Sequence, residues 1–302
     1  MKLAVPLSAP GEARALFEAG AAEFYCGLQT CEWQAMFGNH DSISRRQGRA
    51  NLSTYDELDC LVSETGSLGA SLFLTLNGSY TEGQLPLVLQ TAEAFQEMGG
   101  TGVMVADISL LALLKKRGSK LTRGLSLLAA VSSCSAMGFY AELGVGRVVF
   151  PRFLSPGQIA SITKRYPHIV AETIAWIDKC RFIDGYCRFL HTVGYRDCNA
   201  AKGMLPERFL YTYDTNYSLP ACHELLGEPP CLPACAACHI EALKRAGVGV
   251  LKLGGRGRPM DIRLSGARFL SAANGKADAE EIRELYRQAF GSPCSAEVCY
   301  YG

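Results

Sequence analysis

Four times along this chain a helical stretch ends at glycine and gives way, within a few residues, to a short apolar run. The four are FEAGAAEFYCG (17–27), QEMGGTGVMVAD (96–107), AELGVGRVVFP (141–151) and KRAGVGVLKLGG (244–255). Glycine stops a helix there because it reaches the left-handed cap conformation without strain. A short apolar run without alternation suits a strand buried on both faces. The motif is the helix-to-strand junction of a parallel sheet. Counting every such run gives Leu3–Pro6, Glu23–Cys26, Ser71–Leu76, Val103–Ala106, Leu125–Ala130, Arg147–Phe150, Ile169–Ala175 and Val248–Leu253. Helical patterns lie between most of them. SPGQIASITKRY (155–166) offers Ser155 as N-cap and Pro156 at the first helical position, and STYDELDCLVSETG (53–66) offers a comparable serine cap with Glu57 in its first turns. Eight alternating units predict an α/β fold, a (β/α)8 TIM-like barrel rather than an open doubly wound sheet.

A barrel of this kind accommodates the whole chain, residues 1–302, as one domain. Hydrophobic residues make up 48% and charged residues 20%, enough to bury a large core. Lys plus Arg number 30 against 29 for Asp plus Glu, so no global field draws the chain to nucleic acid or an anionic membrane. Pro6, Pro10 and Glu12 break the apolar start too early for a secretory signal, and no run is long and apolar enough to insert in a membrane. A cytoplasmic location is expected. There the thirteen cysteines would stay reduced, which favours metal or cluster ligation over a disulfide framework.

Two segments interrupt the rhythm, each after the C-terminal end of a strand, where barrel enzymes build their sites. Residues 28–52 form a polar loop that groups Arg45, Arg46 and Arg49, and residues 176–233 form a Cys- and Tyr-rich insertion after the seventh strand. Seven cysteines, Cys180, Cys187, Cys198, Cys222, Cys231, Cys235 and Cys238, fall within 59 residues. Thiolates on loops with few acidic neighbours suit tetrahedral zinc or an iron–sulfur cluster, and a single C-x-x-C pair, Cys235 and Cys238, makes zinc the weaker reading. Cys26, Cys60 and Cys134 read as packing residues, and Cys294 and Cys299 receive no role. His191, His223 and His239 lie beside the cysteines and read as supporting or surface groups. The H-E-x-x-H, G-x-S-x-G, P-loop and Rossmann signatures are absent. GGRGRP (254–259), after the last strand, brings backbone amides and the charges of Arg256 and Arg258 to where an anion could sit. The arginines at 45, 46 and 49 could face the same mouth and pair with a dicarboxylate. No catalytic residue is assigned.

Several of these stretches together are similar to a known family. SAPGEARALFEAGAAEFYCGL (8–28), RRQGRANLS (45–53), LFLTLN (72–77), LGVGRVVFPRFLSPGQI (143–159) and CAACHIEALKRAGVGVLKLGGR (235–256) follow one another in the order seen in peptidase family U32. These collagenase-like proteins also include ubiquinone-hydroxylation proteins and tRNA and rRNA hydroxylation factors. The resemblance implies a barrel-like fold and a 4Fe-4S cluster on four cysteines, here Cys180, Cys187, Cys198 and Cys235, with Cys222, Cys231 or Cys238 as alternates. It further implies oxygen-independent hydroxylation of an aromatic quinone precursor or an RNA pyrimidine, with prephenate as the proposed donor. Asn77 of LFLTLN joins Arg45, Arg46, Arg49 and Arg256 as substrate-binding candidates. The family's Glu before the final Gly-Arg is here Gly254, and its His near the first ligand is missing from AWIDKC, so no acid–base role transfers. A peptidase, or a non-catalytic subunit paired with a related family member, are the other readings.

Overall fold

The computed structural model describes residues 1–38, 43, 44, 46, 48–176, 185, 235–295 and 299–301. Eight parallel strands close into a barrel in sequence order: β1 (Lys2–Pro6), β2 (Glu23–Cys26), β3 (Ser71–Leu76), β4 (Gly102–Val105), β5 (Thr122–Leu125), β6 (Arg147–Phe150), β7 (Val170–Trp176) and β8 (Val248–Leu253). Closure is made by β1 against β8, with Ala4 opposite Lys252. Helices between the strands cover the outside and bury Leu16, Leu61, Val88, Leu111, Ile159 and Leu270 against the outward faces of the strands. The eight-stranded barrel predicted from the glycine junctions is therefore the observed fold.

Three local expectations change. The fifth strand lies at Thr122–Leu125, not Leu125–Ala130, because Gly102 and Met104 of β4 pair with Thr122 and Gly124. The apolar residues after it form a 3-10 turn, Leu127–Ala129, capped by Ser126 and ended by Ala130 at a positive φ of 51°. The helix over Tyr55–Ser67 is capped by Thr54, not Ser53, in a reciprocal capping box with Glu57. Residues 28–52 are not simply a loop: Thr30 caps a helix over Cys31–Phe37 whose Trp33 is buried, and a 3-10 turn covers Gly48–Ala50. Pro156–Arg165 begins as expected, with Ser155 and Gln158 capping one another.

β7 and β8 slip in register after Ile174, so that Trp176 turns outward onto Phe290, with ring centroids 5.7 Å apart. A Cβ at Gly266, on the helix Met260–Asn274, would collide with that indole, which explains glycine inside a helix. No helix among the described residues is long and apolar enough to cross a membrane.

Candidate functional site

Alternate residues of each strand point into the barrel, and here they stack charge beneath aromatic and apolar rings. Glu172 of β7 is completely buried and accepts from Arg147 Nε at 2.5 Å and Lys252 Nζ at 2.8 Å. Arg147 also reaches Glu23 at 2.6 Å, and Glu23 accepts from Lys2 at 2.9 Å. Burial alone would raise the Glu172 carboxyl, but Lys252 and Arg147 hold it below the ordinary carboxylate value. Above lie Tyr25, Phe73, Met104 and Val149. The Lys252 ammonium sits 3.7 Å from the Tyr25 ring centroid, and the Arg147 guanidinium 4.4 Å from that of Phe73.

At the C-terminal mouth the residues after β8 and β2 meet. Arg256 is only 5% exposed and donates to the hydroxyls of Thr75 and Ser44, the latter at 3.0 Å. Thr75 Oγ1 donates to the Cys26 carbonyl at 2.8 Å, and Ser44 Oγ to Asn51 Oδ1 at 2.9 Å. Asn51 Nδ2 donates to the Arg46 carbonyl at 2.7 Å. A Cβ at Gly27 would collide with both the Arg256 guanidinium and the Asn51 side chain, so glycine is what lets Arg256 enter. Gly257, at φ 80°, packs against Ala50 and fixes the turn that carries Arg256 inward. Among the described residues no carboxylate pairs with Arg256. Burial pushes its pKa down to about 10, which still leaves it charged at neutral pH.

Of the predicted site residues, the structure brings Arg256 and Arg46 to one mouth, with Asn77 on its rim donating to Ser126 at 3.2 Å. Arg45 and the side chain of Arg49 lie outside the described residues, as do Cys180, Cys187, Cys198, Cys222, Cys231, His191 and His223. Cys235 and Cys238 are described: Cys235 bridges to Trp176 at the end of β7, and a 3-10 turn follows at Ala237–His239. Cys26 is buried as expected, but Cys60 is exposed and Cys134 half-buried. Among the described residues no three His, Cys, Asp or Glu side chains are already arranged around a metal.

The interior charges Glu23, Arg147, Glu172 and Lys252 and the polar residues Ser44, Asn51 and Thr75 were missed from the sequence. For those on strands the signal was a charged or polar residue at alternate positions within an otherwise apolar run, as in VAETIAW and VLKL; Ser44 and Asn51 lie outside the strands and carry none. That signal becomes a position only once the barrel's inside is known.

Residues 9–290 match peptidase family U32. The chain belongs to that family. Two curated relatives, both named tRNA hydroxylation protein P, are similar over 151 residues: that of Escherichia coli (strain K12) at 22% identity and that of Haemophilus influenzae (strain ATCC 51907 / DSM 11121 / KW20 / Rd) at 23%. Each match spans 50% of this chain and 33% of the relative. Among solved structures, that of the U32 peptidase Mk0906 superposes with a TM-score of 0.52 at 13% identity, covering 86% of this chain and 94% of its own, a likeness of fold. In this U32 barrel the mouth pairs a buried guanidinium with hydroxyls above aromatic rings, and a guanidinium so placed can accept a carboxylate.

Proposed function

We propose that this protein supports oxygen-independent hydroxylation of a pyrimidine in RNA, taking the hydroxyl from a dicarboxylate such as prephenate. The observation that carries the reaction class is the similarity to two proteins named for tRNA hydroxylation. An anionic donor is supported by Arg256, a buried cation whose described partners are neutral hydroxyls. A carboxylate there would supply the opposite charge that a desolvated guanidinium lacks. An aromatic quinone precursor is the alternative substrate, and a cytoplasmic protein is proposed.

A 4Fe-4S cluster belongs to the same reading. The donor chemistry fits: Cys235 is a buried, unpaired thiol bridged to Trp176 at the end of β7. Cys180, Cys187 and Cys198 would complete the set that the family implies. Once bound, such a cluster would supply electron transfer, or a coordination position for substrate. The rest falls to the chain's own residues. Arg256 orients the carboxylate, Tyr25 and Phe73 exclude water beneath it, and Glu172 keeps Lys252 fixed under Tyr25.

Mass spectrometry of nucleosides from cells lacking the gene tests the reading. A pyrimidine one oxygen heavier should vanish, and should return with the wild-type gene but not with Arg256→Ala. An unchanged nucleoside profile in the deletion would overturn it.

A further inference from the structure

The near-zero net charge of the whole chain hides a segregation along it. Residues 12–97 carry twelve Asp and Glu against four Lys and Arg, whereas residues 108–170 carry nine Lys and Arg against one carboxylate, Glu142. Folding gathers several of these cations on one sector. Helices that follow parallel strands run from the mouth to the opposite rim, so the last turns of Ile108–Lys116, Pro156–Arg165 and Ile240–Arg245 deliver Lys116, Lys164, Arg165 and Arg245 to that rim. The helix ends are contiguous. Lys115 Nζ donates at 2.5 Å to the carbonyl of Glu142, the last residue of the helix Cys134–Glu142, and Thr163 Oγ1 donates to the Ala246 carbonyl at 2.6 Å. Arg117 and Lys244 pair with Glu93 and Glu241, but Lys116, Lys120, Lys164, Arg165 and Arg245 are exposed with no carboxylate in ion-pair reach among the described residues.

The helices Cys134–Glu142 and Pro156–Arg165, which lie between this rim and the mouth, carry no carboxylate other than Glu142. They are neighbours, joined by the Tyr166 hydroxyl, which donates to the Cys134 carbonyl at 3.0 Å. On the first, Ser135, Phe139 and Glu142 are exposed at helical spacing and form its solvent face. The second exposes Gln158, Ser161, Lys164 and Arg165. Phe139 is 48% exposed, and Phe153, in the turn that leaves β6 at the mouth, 51%. A cation in the last turn of a helix complements its dipole, and a single exposed phenyl group is ordinary. Dipoles do not account for Lys120, which lies beyond its helix, nor for two phenyl groups on the sector that bears the cations.

We propose that this sector is where RNA docks, with phosphates along the rim at Lys116, Lys120, Lys164 and Arg165 and unpaired bases stacked on Phe139 and Phe153 on the way to the mouth. Cations that track a backbone beside aromatic rings on which bases stack are what a single-stranded segment of RNA requires. The phosphate contacts position the strand and leave the choice of base to the mouth. The acidic helices on the other side of the barrel, within residues 12–97, repel the same backbone and so orient it. A lipid headgroup layer would meet the rim cations but not the two phenyl groups, which lie between rim and mouth. This docking face rests on the reading of RNA as the substrate, and it adds where the rest of that RNA lies.

The test is fluorescence anisotropy of a labelled RNA stem–loop with an unpaired, pyrimidine-rich loop, titrated with the full chain at salt between about 50 and about 200 mM KCl. Wild type is compared with a Lys116→Gln, Lys120→Gln, Lys164→Gln, Arg165→Gln variant. The control, Arg14→Gln, Lys276→Gln, Arg283→Gln, Arg287→Gln, loses the same charge from exposed residues on other faces. Affinity should fall about tenfold or more in the first variant, with a salt slope shallower by about 3, and less than about twofold in the control. Phe139→Ser with Phe153→Ser should weaken binding about fivefold or more at an unchanged salt slope. In wild type, where no variant has to fold, thiouridine placed in the stem–loop should cross-link to residues 115–165. Equal loss from the face and control variants, or cross-links confined to other residues, would overturn the docking face while leaving RNA as the substrate. No binding of the stem–loop by wild type would overturn the face together with the RNA reading. Tighter binding to phosphatidylserine vesicles than to the RNA, lost in the cation variant and kept in the phenyl variant, would assign the rim to a membrane and overturn the proposal.

Discussion

The lower interior of the barrel and its mouth each bury charge, and they handle it in opposite ways. Below, Glu172 is closed off from water but bridges Arg147 and Lys252, and Glu23 bridges Arg147 and Lys2. Above, Arg256 meets only hydroxyls among its described partners. A buried ion is tolerated when counter-charges and hydrogen bonds replace its hydration, as they do below. Where the counter-charge is missing, the protein holds an incomplete pair, which is how a binding site for the missing charge is built. The lower network serves the fold, and under the proposed function the mouth serves a ligand.

The sharpest way to break this contrast is to remove the central carboxylate. Glu172→Gln leaves Arg147 and Lys252 buried with one counter-charge fewer, and should cost about 3–5 kcal/mol in urea unfolding. A loss under about 1 kcal/mol would mean that the network contributes nothing net. Arg256→Met should act the other way: donor binding followed by calorimetry with prephenate falls by about 2–5 kcal/mol. Its stability should change by less than about 1 kcal/mol, because an apolar chain replaces an unpaired charge. If both variants lost stability alike, the distinction between floor and mouth would fail. Gly27→Ala drives a methyl into Arg256 and Asn51 and should cost about 1–3 kcal/mol of stability while weakening donor binding. Far from either region, Thr54→Ala removes one helix cap and should cost about 1 kcal/mol with no effect on binding.

The smallest effect is in acid. Glu172 and Glu12 both have folded pKa values below the ordinary carboxylate value. Burial opposes this in each case, outweighed by Lys252 and Arg147 for Glu172 and by Arg263 with the Ser8 and Ala9 amides for Glu12. Stability from both is present above that ordinary value and is lost as pH falls through the lower folded values. Glu172→Gln should therefore show a shallower fall in stability below about pH 4 than wild type. An identical acid slope would mean that Glu172 is already protonated in the fold.

Much of the architecture was legible because its signals are local. Glycine at a helix end and a short β-branched run report the backbone of a few neighbouring residues, and they located all eight strands, with β5 displaced. That strand was misplaced because LSLLAA is equally apolar as strand or turn, and only pairing with β4 decided for Thr122–Leu125. Thr54 took the cap from Ser53 because its hydroxyl is the one that accepts from the Glu57 amide, while the Glu57 carboxylate accepts from both the Ser53 and Thr54 amides. The mouth was legible in part: Arg46, Asn77 and Arg256 were singled out, Thr75 showed only as a polar residue in an apolar strand, and Ser44 and Asn51 carry no mark in the sequence.

By itself the sequence determined the alternation of strand and helix, the family, and the kind of donor atoms available, because these follow from residue type and short spacing. Tertiary structure decided which alternate residues face the barrel interior, that Gly27 clears the path for Arg256, and that the tail at Cys299 and Tyr300 returns to Cys235. Those depend on closing β8 against β1 and on a tail that pairs with Cys235 and His239. Such contacts join residues far apart in the chain, and no local pattern encodes them.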